Sequence, residues 1–159
     1  MFICCTGSIF DMTDIHTWVN PVNCVGVSGK GLALEFKKRF PENFNHYRRR
    51  CDNKYLKIGR LLGFTTPNKY KAPRYIINLP TKIHWKDSSD YSYIKKGAWA
   101  LGTIIIQLDI KSIVIPALGC GLGGLTYERV QAILIDTLLP FSIGHKIVLL
   151  EPEWETKGE

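Results

Sequence analysis

The chain lacks the features that mark several large classes of protein. Its apolar runs around residues 104–106 and 132–135 are broken by Asp109 and Asp136, so neither is long enough to cross a membrane. Its five cysteines are an odd number without CxxC spacing, and no signal peptide precedes them. We therefore expect a cytoplasmic protein with reduced thiols and no membrane association.

Clustered metal ligands are missing as well. The four histidines are scattered, and they show no metal-ligand spacing with one another or with the cysteines. A P-loop is also absent, because the segment 26–31 has neither the required glycine spacing nor a Ser or Thr after its lysine. We predict no metal and no cofactor, and we disfavour a nucleotide-hydrolysing enzyme of the P-loop type.

What the chain does have is the composition of one ordinary globular domain. Its 159 residues are 45% hydrophobic and 22% charged, which suits a single domain over residues 1–159 with a full core. We expect a monomer. The formal net charge of +7 favours a polyanionic ligand or partner.

Strand-like and helical patterns alternate along the chain. The pattern predicts an α/β sandwich in three layers, with a central mixed sheet between helices. Pro21 is expected to stop the second strand, and Thr126 is expected to cap the last helix. The predicted strands are 1–5, 16–20, 59–65, 74–78, 113–116 and 146–150, and the predicted helices are 32–40, 42–51, 89–108 and 127–139.

A glycine-rich turn joins a short β-branched strand to a helix near the end of the chain. Four of the 14 glycines fall between Gly119 and Gly124. A strand, a glycine-rich turn and a helix start together make an anion site, because backbone N–H groups and the helix dipole both favour negative charge. A plain tight turn is the alternative, although it needs fewer glycines. The turn has GxGxxG spacing, but no acidic ribose partner follows it, which disfavours a dinucleotide dehydrogenase.

A second glycine-bearing loop, residues 23–31, also leads into a helix. Ligands of open α/β sheets bind beyond the carboxyl ends of the strands, so two such loops side by side could hold two phosphates of one diphosphate.

Four motifs in this order resemble the macrodomain family, which binds ADP-ribose. They are GSIF at 7–10, VNPVNCVGVSGKGLA at 19–33, NLPTKIHW at 78–85 and PALGCGLGGL at 116–125. Together they span nearly the whole chain. The second and third are most similar to the DarG-type antitoxin macrodomains, which remove ADP-ribose from thymidine bases in DNA.

The resemblance implies a set of ADP-ribose contacts. Ile9 and Phe10 match the adenine position, where the acidic residue common in the family is replaced by Ser8; core packing is the alternative for Phe10. Asn23 matches the residue that holds the distal ribose; a turn-forming asparagine is the alternative, a role for which Asn20 is the better candidate. Cys120 is expected to donate its backbone N–H rather than to act as a nucleophile. Tyr127 is a candidate wall for the distal ribose. The remaining implied contacts are Gly29, Lys30, Gly31, Leu32, Thr81, Gly119, Gly121, Leu122 and Gly123.

Lys82 is the implied catalytic residue, since it matches the lysine near the anomeric carbon of the distal ribose in this branch. It could supply a proton or positive charge to the base that leaves when the glycosidic C–N bond breaks. It could instead attack the ring-opened sugar to form a Schiff base. Protein-directed relatives carry a catalytic Asp where this chain has Gly123, which weakens the second route.

The resemblance predicts a hydrolase that removes ADP-ribose from thymidine in single-stranded DNA. Trp85 could stack on a target base, or it could be a core aromatic that anchors its loop, which is the favoured interpretation. His84 is a second candidate for base or DNA contact, with no role assigned. Basic clusters at 37–39 and 48–50 could follow a DNA backbone, or could simply be solvated. Expected partners are ADP-ribose, ADP-ribosylated DNA and a DarT-like toxin system, with no toxin-binding domain attached. The alternatives are an ADP-ribose 1″-phosphate phosphatase or small-ester hydrolase, and a non-catalytic ADP-ribose reader.

Overall fold

A computed structural model of the chain describes residues 1–152. Six strands form one sheet in the order β1-β6-β5-β2-β4-β3. All neighbouring strands are parallel except β3 and β4, which are antiparallel. The strands are β1 Phe2–Cys5, β2 Thr17–Val22, β3 Leu62–Thr65, β4 Tyr75–Pro80, β5 Ser112–Ile115 and β6 Lys146–Leu150.

Two helices cover each face of the sheet, which confirms the predicted three-layer α/β/α sandwich. Successive side chains of a strand point to opposite faces of the sheet and so belong to two different cores. Trp18 packs with Phe36 of one helix pair, whereas Val19 packs with Leu101 and Leu134 of the other. The first pair is α1 Gly31–Arg39 and α2 Pro41–Asp52, and the second is α3 Tyr91–Gln107 and α4 Tyr127–Leu138. No helix within residues 1–152 has the length and apolar character needed to span a bilayer.

Strand β2 runs further than the sequence predicts. Pro21 does not stop it, because Pro21 and Val22 still pair with Leu79 and Pro80 of β4. On its other side β2 pairs with β5 only through Thr17 and Trp18. At Pro21, strand β2 has a neighbouring strand on one side only. The missing N–H of the proline therefore removes no hydrogen bond to a second neighbouring strand.

Helix α3 contains two glycines that the periodic pattern does not explain. A Cβ on Gly97 would lie 2.9 Å from a methyl of Leu79, and one on Gly102 would lie 2.3 Å from the Phe141 ring. These glycines let the helix approach β4 and the segment after α4 closely. Thr126 occupies the N-cap position of α4 as predicted, but its side chain makes no capping bond.

Candidate functional site

Five loops meet along one edge of the sheet. Strands β1, β6, β5, β2 and β4 are mutually parallel, so their carboxyl ends share that edge. The loops that follow them enclose a cleft of about 1110 Å³, slightly above the usual range of about 300–1,000 Å³ for small-molecule sites. Both glycine loops and Lys82 line this cleft, so the structure brings together the main elements that the sequence predicts.

Asn23 shapes the loop after β2, which we call the first glycine loop (residues 23–31). Its Oδ1 accepts the backbone N–H groups of Val25 at 3.0 Å and Gly26 at 3.1 Å. Its Nδ2 donates to the Val27 carbonyl at 2.7 Å. The amide oxygen is thus used inside the loop, so Asn23 does not have the oxygen available for the sugar contact that the sequence predicts. One Nδ2 hydrogen is left for a ligand.

Tyr47, on α2, is a hydrogen-bond partner of Asn23. Its hydroxyl lies 2.8 Å from Asn23 Oδ1 and 2.9 Å from the Asn23 carbonyl oxygen, and shares its hydrogen with them. Burial raises the pKa of Tyr47 far above its ordinary value, so the hydroxyl remains a neutral donor at any physiological pH. Sequence reasoning missed this role, because an aromatic residue on an amphipathic helix is usually only a packing residue.

The first glycine loop ends at the start of α1. Gly31 has a φ of +59°, in the region that favours glycine, and no side-chain cap is present at Lys30. The Leu34 N–H already donates to the Lys30 carbonyl. The N–H groups of Gly31, Leu32 and Ala33 precede it at the helix start, and all three residues line the cleft. Such a terminus favours an anion.

The loop after β5, the second glycine loop (residues 116–125), is closed by its own backbone. Leu125 N–H donates to the Gly119 carbonyl at 2.9 Å, and Gly124 N–H donates to that of Gly121 at 3.2 Å. The N–H groups of residues 121–123 make no hydrogen bond to any group in the described part of the chain. Three adjacent backbone donors at the cleft wall are a suitable cradle for phosphate oxygens.

Gly123 has no room for a side chain. A Cβ at this position would lie 2.5 Å from the Gly119 carbonyl oxygen and 2.9 Å from Ser89 Cβ. The first of these atoms is backbone, so the loop itself would have to move. The missing acid noted in the sequence therefore has a structural counterpart: in this conformation the loop excludes any carboxylate at position 123.

The loop after β4, residues 81–90, is hydrogen-bonded to both glycine loops. Thr81 N–H donates to the Val22 carbonyl and Cys24 N–H donates to the Ile83 carbonyl, each at 2.9 Å. On the other side, Ser89 N–H donates to the Gly123 carbonyl at 3.0 Å, and the Ser89 hydroxyl donates to the Thr81 carbonyl. The position of Lys82 is therefore fixed relative to both candidate phosphate sites.

Lys82 lines the cleft and is half-buried. Its Nζ donates to the Trp85 carbonyl oxygen at 3.1 Å within the same loop. The loop is further closed by Asp87, whose Oδ2 accepts the His84 N–H at 3.2 Å. The Lys82 amine is thus a hydrogen-bond donor on the loop after β4, and hydrogen bonds hold that loop at both ends.

Trp85 lines the cleft mouth with 48% of its surface exposed, so it is not the core aromatic that the favoured interpretation expects. The His84 ring lies beside it, with the ring centroids 5.4 Å apart and the planes tilted by 31°. His84 itself does not line the cleft. Its Nδ1 accepts the Lys86 N–H at 3.1 Å, so the neutral ring carries its hydrogen on Nε2.

Three further predicted contacts also lie outside the cleft wall. Phe10 packs on Phe36, with their ring centroids 5.2 Å apart, and the Arg39 guanidinium lies over its ring, 4.2 Å from the centroid. Cys120 is buried in the main core, and its N–H donates to the Ala117 carbonyl rather than outward. Tyr127 is 4% exposed and belongs to the same core. Packing against the cores therefore places Phe10 and Tyr127 away from the cleft, and a backbone hydrogen bond takes the Cys120 N–H that was expected to face the ligand.

Ser8 and Ile9 do line the cleft, as do Thr81 and the predicted glycines. One lone pair of the Ser8 hydroxyl accepts the Phe10 N–H at 3.2 Å, and its O–H is left as a donor. Sequence reasoning missed Glu151 and Pro152, which line the cleft directly after β6. The rule that ligands bind beyond parallel strand ends contained that signal, because residue 151 follows the last predicted strand. Among residues 1–152, no group of three or more His, Cys, Asp or Glu side chains is arranged to hold a metal ion.

Comparisons with known proteins agree with this geometry. The Macro domain family model matches residues 19–134. A curated relative from Mycobacterium tuberculosis, named DNA ADP-ribosyl glycohydrolase, is 43% identical over 123 residues, which are 77% of this chain and 35% of the relative. The chain therefore spans about a third of the length of that relative.

Two solved structures extend the match over almost the whole chain. The macrodomain of Thermus aquaticus DarG superposes with a TM-score of 0.88 at 36% identity, covering 96% of this chain and 99% of that one. Thermosipho africanus DarTG, solved in complex with ADP-ribose, superposes with a TM-score of 0.83 at 30% identity. It covers 92% of this chain, which covers 40% of it.

Proposed function

The chain belongs to the macrodomain family, and on that premise we propose that it is a hydrolase that removes ADP-ribose from a thymidine base of single-stranded DNA. The relatives named DNA ADP-ribosyl glycohydrolase support this substrate class. A DarT-type transferase, as in the fusion relative of Thermosipho africanus, is the proposed source of the modification. The observation that carries the proposal is the order of groups along the sheet edge.

That order follows the parts of the ligand. Lys82 follows β4, the first glycine loop follows β2, and the second follows β5, and these strands are neighbours in the sheet. Adjacent strands are about 4.8 Å apart, so a diphosphate can contact both loops at once. The distal ribose and the bond to the DNA base then lie at the β4 end, beside Lys82.

Backbone donors supply most of the binding to the diphosphate in this proposal. The N–H groups of residues 31–33 hold one phosphate and those of residues 121–123 hold the other. Lys30 adds positive charge at the cleft wall. The remaining hydrogen of Asn23 Nδ2 contacts the distal ribose, and Thr81 lines the same end. Fixed dipoles that need no rearrangement bind a charged ligand without an ordering cost.

Lys82 acts in this proposal as a charged donor to the leaving base. The C–N bond between the anomeric carbon and the base nitrogen breaks, a water oxygen bonds to that carbon, and the base nitrogen ends with a proton. Developing negative charge on the base is stabilised by the ammonium group, which is worth most inside a partly enclosed cleft. The crowding at Gly123 supports this route over the Schiff-base route, because no carboxylate can stand there to assist it.

Trp85 is proposed as the surface on which a neighbouring DNA base stacks. Half of the ring is exposed at the cleft mouth, and the Lys86 amine lies 5.1 Å from its centroid. Stacking of a base on an aromatic side chain contributes about 1–3 kcal/mol, and the adjacent lysine can meet a backbone phosphate. The His84 ring, 5.4 Å away between centroids, helps to hold the Trp85 ring in this arrangement.

An oligonucleotide release assay tests the proposal. The protein is incubated with a single-stranded oligonucleotide that carries ADP-ribose on thymidine, and released ADP-ribose is measured. We expect turnover by the wild type and a loss of at least about a hundredfold in Lys82→Ala, with ADP-ribose affinity reduced by less than about tenfold. Lys95→Ala, an exposed lysine on α3, is the matched control and retains full activity.

The contrary outcomes separate the other functions. Consumption of ADP-ribose 1″-phosphate or of a small ester, with the oligonucleotide left modified, would indicate a small-molecule hydrolase. Tight binding of ADP-ribose without turnover of any substrate would indicate a reader.

A further inference from the structure

The two basic clusters of the first helix pair, residues 37–39 and 48–50, differ in their distance from the cleft. Helix α1 starts at the cleft wall and runs away from it for nine residues, or about 13 Å, so the first cluster lies far from the cleft. Two of its members pair with Glu35. Helix α2 runs back toward the first glycine loop, where a Cβ on Gly26 would lie 3.6 Å from the Arg48 Cα. The second cluster is therefore the one that lies near the cleft.

The segment that follows α2 extends this positive charge along the same edge of the sheet. Strand β3 is antiparallel to β4, with Leu62 opposite Asn78, so the chain enters β3 beside the carboxyl end of β4. Residues 53–61 therefore lie at the edge of the sheet that carries the cleft. Residues 48–60, which we call the basic surface, contain six Lys or Arg residues and one acidic residue.

Two arginines of the basic surface are held in place without an acidic partner. The guanidinium carbons of Arg50 and Arg60 lie 4.4 and 5.4 Å from the centroid of the Tyr55 ring. Neither side chain makes a hydrogen bond or an ion pair with any group in residues 1–152. A guanidinium that rests on an aromatic ring keeps its N–H donors for another acceptor, and their planar arrangement fits phosphate oxygens.

Exposed apolar side chains lie between the cleft mouth and the basic surface. Val25 and Ile83 flank the hydrogen bond from the Cys24 N–H to the Ile83 carbonyl, and they are 41% and 51% exposed. Ile83 lies two residues before Trp85, and Val25 precedes Gly26, the residue that α2 contacts. Apolar and aromatic side chains beside a row of cations are the arrangement that binds unstacked bases together with their phosphates.

We propose that the basic surface binds backbone phosphates of the single strand that flanks the modified thymidine, with Arg50 and Arg60 as its main contacts. This inference rests on the proposed function, which places the scissile bond beside Lys82 at the β4 end of the cleft. The DNA strand leaves the cleft at that end, and β3 with the segment before it is the next part of the sheet. The strand's bases meet the apolar side chains there, and its phosphates meet the arginines.

Turnover of two substrates tests the inference: an oligonucleotide with ADP-ribose on one central thymidine, and the modified thymidine mononucleotide alone. The wild type is expected to have a KM at least about tenfold lower for the oligonucleotide. Arg50→Gln combined with Arg60→Gln raises the oligonucleotide KM by at least about tenfold and changes kcat by less than about twofold. The mononucleotide kinetics stay as in the wild type. The charge-matched control is Lys71→Gln combined with Lys111→Gln, two exposed lysines before β4 and β5 at the opposite edge of the sheet, and it keeps the wild-type values.

The salt dependence of the oligonucleotide KM separates lost charge from altered structure. Each phosphate contact to a single strand contributes about 0.7 to the slope of log KM against log salt, so the double glutamine variant lowers that slope by about 1.4. Arg50→Lys combined with Arg60→Lys keeps both charges and is expected to keep most of the slope. Arg60→Gln alone, at an exposed position, is the second variant and lowers the slope by about 0.7. Thermal unfolding checks that each variant is folded.

Each contrary outcome has a distinct meaning. Cleavage of both substrates by the wild type with equal KM values overturns the inference and leaves the proposed function standing. An oligonucleotide KM and a salt slope that are unchanged in the folded glutamine variants do the same. Failure of the wild type to cleave either substrate overturns the proposed function and this inference together.

Discussion

At the scale of single residues, the side chains that shape the cleft act by fixing the position of its backbone. The amide oxygen of Asn23 accepts hydrogen bonds from N–H groups of its own loop and from the Tyr47 hydroxyl on α2. Gly123 serves by having no side chain, since a Cβ there would meet the Gly119 carbonyl oxygen at 2.5 Å. The donors proposed to bind phosphate are backbone N–H groups, so their positions depend on these neighbours.

The crowding at Gly123 predicts a loss of ADP-ribose affinity in Gly123→Ala. The added methyl group must displace the backbone of the second glycine loop, which moves its N–H donors out of place. We expect the dissociation constant to rise by at least about tenfold, or 1.4 kcal/mol, measured by calorimetry. Gly63→Ala, on β3, is the matched control, because a Cβ at Gly63 would meet nothing within 4 Å and Gly63 does not line the cleft. Equal affinities for the two variants would show that the steric argument is wrong.

The sequence predicts the role of a residue only where the spacing of a motif indicates that role. The glycines and Lys82 lie in recognisable motifs at strand ends, and the structure brings them to one cleft. Phe10, Cys120 and Tyr127 lie in or next to the same motifs but do not line the cleft. Whether an apolar side chain in a motif turns toward the cleft or the core is decided by packing against distant elements, and no local pattern encodes that choice.

At the scale of elements, α3 shows how packing overrides helix propensity. Its inward residues Ile94, Ala98, Leu101 and Ile105 follow the predicted stripe and are fully buried. Leu108 belongs to the same predicted stripe but is 63% exposed, because the helix ends at Gln107. Gly97 and Gly102 weaken the helix by about 1 kcal/mol each relative to alanine. They are accounted for by neighbours that leave no space for a Cβ.

Substitution of Gly102 by alanine is therefore expected to destabilise the protein, although alanine is the better helix former. The new Cβ would lie 2.3–2.7 Å from three atoms of the Phe141 ring, which also packs edge-on against Trp99. Overpacking of this kind costs about 1–3 kcal/mol, which corresponds to a fall in Tm of roughly 2–12 °C. Thermal unfolding followed by circular dichroism measures it.

A double variant makes the test specific. Gly102→Ala combined with Phe141→Ala removes the clash, so the alanine should then cost much less than it does in the presence of the ring. A Tm for Gly102→Ala at or above that of the wild type would refute the account of close packing on this side of α3.

At the scale of the whole molecule, the order of the sheet determines the order of the site. The sequence predicts six strands, four helices and two glycine loops, and the described residues contain them. It does not predict the strand order, because the pairing of β1 with β6 joins segments more than 140 residues apart. Without that order, Glu151 is only a residue after the last strand. With it, Glu151 becomes a neighbour of Ser8 and Ile9 in one cleft.

The strand order leads to the central claim, which is that the ligand lies along the sheet edge with its adenosine at β1 and β6 and its distal ribose at β4. A crystal structure of the protein with bound ADP-ribose tests this most directly. We predict that the phosphates lie on residues 31–33 and 121–123, with the adenine beside Ser8 and Ile9 and the anomeric carbon beside the Lys82 amine. A ligand in the opposite orientation, or one whose distal ribose lies away from Lys82, would contradict the account.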